Sequence, residues 1–360
     1  MKNGLSGVKK TLLNLSLVGV SLLVAALIGE VLVRIFWAAP GFKYPQTLHE
    51  KHPVLGWVMK PNQHAYTYDI PVTTNSHGLR DDEFTVAKPD KTVRILVLGD
   101  SVTFGVLVGN DETYSNVLER MLNAEADSVR YEVINTGVQR YYTFQELDYL
   151  REYGVKFQPD LVVVGYYIND LGFKPETWTR DYEKTREKHA SYLWTKVPWL
   201  MYIYKNSALS NLVRDRIIRM LRSTKQKKNT QTRLLTGELD EEAFRKIEGA
   251  RQDLAAMKKL GDEHGFPVLI AAFPGVNQVI KDFPNAKYPQ FVREIADELG
   301  MPFVDLLPDF KEHYDGDIRS LYFRYNGHPN KTGHELAAKA IFKAIAEKKL
   351  LQRKEIAKTN

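Results

Sequence analysis

The sequence predicts an α/β protein: a five-stranded parallel sheet covered by helices on both faces, behind one N-terminal membrane-spanning helix. Three observations predict it. Apolar runs begin near residues 94, 131, 161, 267 and 303 and alternate with helical segments, the order that builds a parallel sheet. Runs such as Ile95-Leu96-Val97-Leu98 and Leu161-Val162-Val163-Val164 lack polar alternation, as strands buried on both faces do. From Thr11 to Gly29 no residue is charged, and nineteen residues at helical rise span roughly 28 Å, close to the bilayer core.

The N-terminal stretch comes first in the chain. Val31, Leu32, Val33, Ile35, Phe36 and Trp37 prolong its apolar character, with Glu30 and Arg34 four apart as a helical ion pair. Lys2, Lys9 and Lys10 precede the span, so the positive-inside rule places residues 1–10 in the cytoplasm and the rest beyond the membrane, in a periplasmic or extracellular space. A cleaved signal peptide is the competing reading. It lacks small residues at the −3 and −1 positions, since Phe36-Trp37 precede Ala38-Ala39 and Pro40 follows, so residues 11–37 read as an uncleaved anchor.

Residues 38–90 are rich in Pro, His and Tyr and read as a linker with loops and short strands flanking the main domain. Leu55-Gly56-Trp57 and Asn75-Ser76-His77-Gly78-Leu79-Arg80 stand out in it. The main domain spans 91–350. After its first strand, Asn110 or Asp111 is the candidate cap of a helix carrying Val117, Leu118, Met121 and Leu122 on one face. Tyr131 to Ile134 is a short strand, and Thr143 with Glu146 has the spacing of a capping box. Residues 172–240 are too long for a plain connection. They read as a partly helical, lid-like insertion that carries Trp178, Trp194, Trp199 and Tyr202. Helices around Phe244–Met257 and Phe291–Leu299 then alternate with strands at Phe266–Ala272 and Phe303–Leu307. Thr332–Lys349 is the last helix, before a basic tail over 351–360.

Composition narrows the function. The chain of 360 residues has a net charge of +6 with dispersed basic residues. The cluster Lys225, Lys227 and Lys228 accompanies no nucleic-acid motif, so nucleic acid is not an expected partner. The absence of cysteine excludes disulfides, thiol catalysis and cysteine-ligated metals.

The chemistry gathers at strand ends, which converge on one edge of a parallel sheet. The first strand ends in Gly99-Asp100-Ser101, the second in Asn135-Thr136-Gly137, the third in Asn169-Asp170, and His328 follows the last. Ser101 is not in the Gly-x-Ser-x-Gly elbow, because Thr103 stands at the second glycine position, and no Gly-Lys-Ser/Thr phosphate loop follows. No His-x-x-x-His pair or carboxylate cluster lies beside these residues, so neither a metal nor a cofactor is expected. His334 and His264 read as structural.

These motifs, in this order and completed by His328-Pro329-Asn330-x-x-Gly333-His334, resemble the SGNH hydrolases, also called GDSL esterases/lipases, of the membrane-anchored bacterial type. The resemblance covers about residues 50–171 and 241–345, leaves the insertion uncovered, and implies a three-layer, flavodoxin-like fold. It also implies a serine esterase, with Ser101 as nucleophile and His328 as base and then acid. The Ser101 and Gly137 N–H groups and the Asn169 amide would hold the oxyanion. A glycan O-acyl or O-acetyl ester of the cell envelope is the first expected substrate, a lipid ester the second. An acyltransferase on the same site, or a non-catalytic glycan-binding or scaffold protein with a decayed site, are the alternatives; oligomeric state is left open.

One position departs from the family pattern. Its acid usually stands three residues before the histidine, where this chain reads Tyr325-Asn326-Gly327-His328. Asn326 is the candidate orienter of the ring, with Asp309, Asp315 and Asp317 as distant acids that could fold back onto it. A serine–histidine dyad without its acid is expected to need alkaline pH.

Overall fold

The computed structural model describes residues 2–36, 48–67, 70–172, 174, 197–223, 230–324 and 326–351. Trp37 and all of residues 38–47, Trp178, Trp194, Lys225, Lys227, Lys228, Tyr325 and the tail beyond residue 351 lie outside the described residues.

In chain order the elements begin with helix α1 (Lys2–Phe36) and two antiparallel hairpins, β1 (His49–His52) with β2 (Gly56–Met59) and β3 (His64–Thr67) with β4 (Ile70–Thr73). Then come β5 (Thr92–Gly99), α2 (Ser101–Phe104), α3 (Tyr114–Ala124), β6 (Arg130–Asn135), α4 (Thr143–Glu152) and β7 (Leu161–Tyr166). Helices α5 (Pro198–Asn206), α6 (Ala208–Ser223), α7 (Thr230–Thr236) and α8 (Glu241–His264) follow. The chain continues through β8 (Val268–Ala272), α9 (Val276–Ile280), α10 (Gln290–Glu298), β9 (Phe303–Asp305), α11 (Leu307–Glu312) and α12 (Lys331–Glu347).

Two compact units result, Met1–Tyr44 with Thr185–Lys227 and Pro45–Lys184 with Lys228–Asn360. In the first, α1 has the length and apolar composition to cross a membrane from Lys9 to Phe36. The expected Glu30–Arg34 pair forms, at 2.7 Å.

The second unit holds the predicted five-stranded parallel sheet, in the order β6-β5-β7-β8-β9. Renumbered from its first strand this is 2-1-3-4-5, whose switch point lies between the first and third strands. Alternate residues of each strand feed two cores. Leu96, Leu98, Val162, Val164 and Ile270 pack against Leu150 of α4, Leu254 and Met257 of α8 and Ile295 of α10. Ile95, Val97, Val163 and Leu269 pack against Leu118 of α3, Phe310 of α11 and Ile341 of α12. Both faces are therefore buried, which is why these strands read as unbroken apolar runs.

Three details differ from the sequence reading. The flanking segment is part of the fold, since Leu48, Leu55, Met59, Val72 and Leu79 are buried in the first core. Helix α3 is capped by Thr113, whose side chain accepts from Asn116 N, because Asn110 is committed to Arg80 and Thr73. At α4 the cap is Tyr142, whose N–H donates to Gln145 Oε1, while Thr143 Oγ1 donates to Asp170 O and Glu146 is buried.

Candidate active site

Ser101 opens α2 directly beyond β5, and Asn169 follows β7, so the two stand at the switch point of the sheet. Asp100 caps α2, its Oδ1 accepting from Val102 N at 2.8 Å. Gly105 ends the four-residue helix in the left-handed region, at φ 80°. A side chain there would be strained and would meet Thr113 Cγ2 at 2.6 Å. Helix α2 is thus held short and tight, with Ser101 half-buried at its start.

His328 reaches this serine from the loop before α12. Its Nε2 lies 2.8 Å from Ser101 Oγ, and its Nδ1 lies 2.9 Å from Asn326 Oδ1. The same Oδ1 accepts the His328 backbone N–H at 3.0 Å. A backbone N–H requires an acceptor, so the Asn326 amide must present its oxygen here. Nδ1 therefore carries the proton and donates it to Asn326, which leaves Nε2 bare to accept from Ser101. The tautomer is fixed without an acid.

None of the distant acids takes the acid's place. Asp317 accepts from Arg319 and Asp315 from Asp317 N, while the carboxylate whose charge acts on His328 is Asp100. Burial pushes the His328 pKa below 6.5, partly opposed by the Asp100 charge and the Asn326 contact. The expected need for alkaline pH is therefore reversed: desolvation of the imidazolium, which sequence alone does not reveal, keeps the ring neutral at neutral pH.

The three expected oxyanion donors surround the serine unevenly. Asn169 Nδ2 donates to Asp100 Oδ2 at 2.9 Å; a carboxylate accepts only, so the amide nitrogen faces Asp100 and keeps a second hydrogen. The Asp170 carboxylate accepts Tyr167 N at 2.5 Å and thereby shapes the turn that presents Asn169. Ser101 N–H is a first-turn donor that the helix itself does not use. Gly137 sits against α2 so closely that a Cβ would run into the backbone of Thr103 and Phe104. Its N–H, however, donates to Asn135 Oδ1 at 3.0 Å, so its service to an oxyanion requires that contact to loosen.

Residues that sequence reasoning passed over hold this arrangement. Arg80, fully buried, donates to Phe104 O and Asn110 Oδ1 at 2.8 Å each, and also to Gly105 O and Val108 O. It gathers the chain that leaves the serine. Asp81 accepts Asn135 N at 2.7 Å, and Asn135 Nδ2 donates to Thr103 O at 2.9 Å, tying β6 to α2. The Asn75–Arg80 run was the only sequence signal for the pair. His334 is structural, as expected, with Nδ1 accepting Tyr114 N at 3.1 Å at the start of α3.

Beside Asn169 opens a cleft of about 420 Å³. Tyr142, Arg140, Thr230, Gln231 and Lys246 contribute to its walls, with Ile168 and Leu171. Helix α7, assigned to the insertion from sequence, therefore belongs to the catalytic unit.

The family model for GDSL-like lipase/acylhydrolases matches residues 97–336 of this chain. The chain belongs to that family. GDSL-type enzymes are ester hydrolases, and the Ser101–His328 contact and the sheet, apart from the first five residues of β5, lie within the matched region. Among solved structures, the chain is similar to the acetyl xylan esterase AlAXEase (14% identity, 70% of this chain and 100% of that one, TM-score 0.44). It is similar also to an acetylxylan esterase from Geobacillus stearothermophilus (17% identity, 70% and 94%, TM-score 0.43). A lipase/acylhydrolase from Enterococcus faecalis matches at 16% identity over 71% and 96%, TM-score 0.41. No curated protein sequence matches.

Proposed function

We propose that this GDSL-type hydrolase is a membrane-anchored serine esterase that removes small O-acyl groups from a cell-envelope glycan through an acyl-enzyme. The observation that carries the reading is the 2.8 Å contact between Ser101 Oγ and the unprotonated Nε2 of His328. In the proposed reaction Ser101 attacks the ester carbonyl while Nε2 takes its proton. The tetrahedral oxyanion is held by the Ser101 N–H and the free amide hydrogen of Asn169, with Gly137 N–H as the third donor. The imidazolium returns its proton to the departing sugar oxygen, and a water activated by the same nitrogen releases the acid.

The cleft supports a glycan over a long acyl chain. Arg140, Thr230 and Gln231 offer hydrogen-bonding groups and Tyr142 a ring face, with Lys246 Nζ bonded to Thr230 Oγ1, whereas an acyl chain selects an apolar channel. Helix α1 serves as an uncleaved single-pass anchor, with Lys2, Lys9 and Lys10 on the cytoplasmic side and the catalytic unit on the exoplasmic side.

The test is fluorophosphonate labelling of the detergent-purified full chain, followed by a panel of acetylated oligosaccharides and lipid esters. Labelling and acetate release should both vanish in Ser101→Ala; undiminished turnover in that variant removes Ser101 from the role.

A further inference from the structure

Helices α5 and α6, which belong to the segment leaving the catalytic unit near residue 184 and returning near 228, carry an exposed apolar surface that the chemistry above does not use. On α5, Trp199, Tyr202 and Ile203 are 63%, 68% and 45% exposed, spaced three and four apart on one face. On α6, Val213 and Ile217 are 48% and 52% exposed, one turn apart.

The junction between these helices is clipped to α1 by a single carboxylate. Glu30 Oε1 accepts Ala208 N at 2.9 Å, and Oε2 accepts Leu209 N at 2.9 Å and Ser207 Oγ at 2.7 Å. Ser207 Oγ in turn accepts Ser210 N at 3.0 Å, so the opening turn of α6 is fully capped. Arg34, paired with Glu30, donates to Asn206 O at 2.7 Å, which closes the end of α5. Gly29 admits Leu209 close to the helix, since a Cβ there would stand 3.2 Å from Leu209 Cδ2. These contacts join residues more than 170 positions apart, so they are built rather than incidental.

Glu30 is also the first charged residue after the Thr11–Gly29 span. The clip therefore fixes the α5–α6 junction at the level where α1 leaves the hydrocarbon. Trp199 and Tyr202 fall within about 12 Å of that level along α5 at helical rise. Trp and Tyr favour this interfacial depth. The α6 sequence contributes Arg214, Arg216, Arg219 and Arg222 against one Asp215, a composition suited to anionic headgroups.

We infer that α5 and α6 form a membrane foot, docked in the headgroup region of the leaflet where α1 emerges, with Trp199, Tyr202, Ile203, Val213 and Ile217 facing lipid. The inference rests on the anchor reading above. A chain cut after residue 37 would lose Glu30 and Arg34, the groups that cap this foot.

The absence of cysteine allows single nitroxide labels in the full chain, placed by Tyr202→Cys, Ile217→Cys, Leu22→Cys within the span, and Glu263→Cys on exposed α8. The protein is reconstituted in nanodiscs of phosphatidylcholine and phosphatidylglycerol, and fluorophosphonate labelling of Ser101 verifies each fold. The foot predicts that labels at 202 and 217 collide with oxygen in preference to a nickel chelate, as at Leu22 and unlike Glu263. Nickel access at 202 and 217 equal to that at 263 overturns the foot while Leu22 still reports the anchor. A water-exposed or missing label at Leu22 instead refutes the anchor. Dipolar broadening between 217 labels on separate copies makes the surface a dimer interface and also overturns the proposal. Glu30→Ala should raise nickel access at 217 and leave Leu22 unchanged. If Ile217→Cys misfolds, Val213→Cys reports the same face.

Discussion

Asn326→Asp tests whether this site lacks only a charge. The amide oxygen already meets His328 Nδ1 at 2.9 Å and the His328 N–H at 3.0 Å, so the substitution exchanges NH₂ for oxygen without moving the acceptor. It also removes a buried amide nitrogen that has no partner among the described residues. A unit charge 2.9 Å from the imidazolium gains roughly 6 kcal/mol at an effective dielectric of about 20, before desolvation of the carboxylate takes back several kcal/mol. The surplus of a charge-assisted over a neutral hydrogen bond is the better guide, about 1–2 kcal/mol. That predicts a kcat about 10-fold higher and a pH midpoint raised by about one unit. In the serine-protease triad, replacing Asp by Asn costs about 10⁴ in kcat, but much of that loss comes from the wrong tautomer, and here the tautomer is already right. The assay is acetate release against pH for both proteins, with Asn326→Leu as the opposite control. Removing the acceptor altogether should cost about 10²-fold or more, as loss of a positioned proton-transfer partner does. An Asn326→Asp variant with unchanged kcat and unchanged midpoint would show that Asn326 does not govern the imidazole.

Three further outcomes follow from the same contacts. Because burial lowers the His328 pKa and the neutral ring is the base, kcat/KM in the wild type should rise with pH to a midpoint below 6.5 and stay level through neutrality; a midpoint above 7 refutes the desolvation argument. Arg80→Leu strands two buried carbonyls, those of Phe104 and Val108, while Gly105 O still accepts Val108 N, and should destabilise the catalytic unit by ~3 kcal/mol, about 6–12 °C in Tm, with Arg80→Lys intermediate; a Tm within about 2 °C of wild type would deny the clamp. His334, buried and held down to about 3 against an unfolded value of 6.5, binds a proton only on unfolding between those values. Its stability contribution is complete above 6.5 and falls by about 1.4 kcal/mol per pH unit below it, so urea titrations at pH 7 and 5 should show a steeper loss for wild type than for His334→Gln.

What could be read from the sequence was whatever is decided locally or repeats periodically. The unbroken Leu161–Val164 run identifies a strand covered on both faces because its own side chains fill both cores. The serine turn was legible for a similar reason, since Asp100 caps the helix that Ser101 begins. Caps failed where a distant residue claimed the side chain. Asn110 has the chemistry of a cap, but Arg80 and Thr73 occupy it, and the shorter reach of Thr113 serves α3 instead. Arg80 itself reads as a polar loop residue. Its role exists only once the carbonyls of Phe104, Gly105 and Val108 turn toward it. The error over alkaline pH has the same origin, because the burial of His328 comes from residues far away in sequence.

The charge that the missing acid would supply has a second source in the proposed reaction, and its position sets a trade-off. Glu146 and Asp170 are buried near Asp100, and burial raises both pKa values, with the Asp100 charge adding to the rise. Both carboxyls are thus biased toward the neutral form, and the carboxylate whose charge acts on His328 is Asp100. Its charge favours the His328 imidazolium from the serine side rather than from Nδ1. The same charge opposes the oxyanion, which develops on the carbonyl bonded to Ser101 Oγ, itself 3.2 Å from Asp100 Oδ2. Besides the Ser101 hydroxyl, two donors spend bonds on Asp100, Val102 N and Asn169 Nδ2, and this reduces the field it projects toward the substrate. Asn169 therefore acts twice in this scheme, once by neutralising Asp100 and once by donating its second hydrogen to the oxyanion. A carboxylate on the far side of the imidazole would favour the imidazolium without opposing the oxyanion so closely, and that physical advantage is what Asn326→Asp would restore.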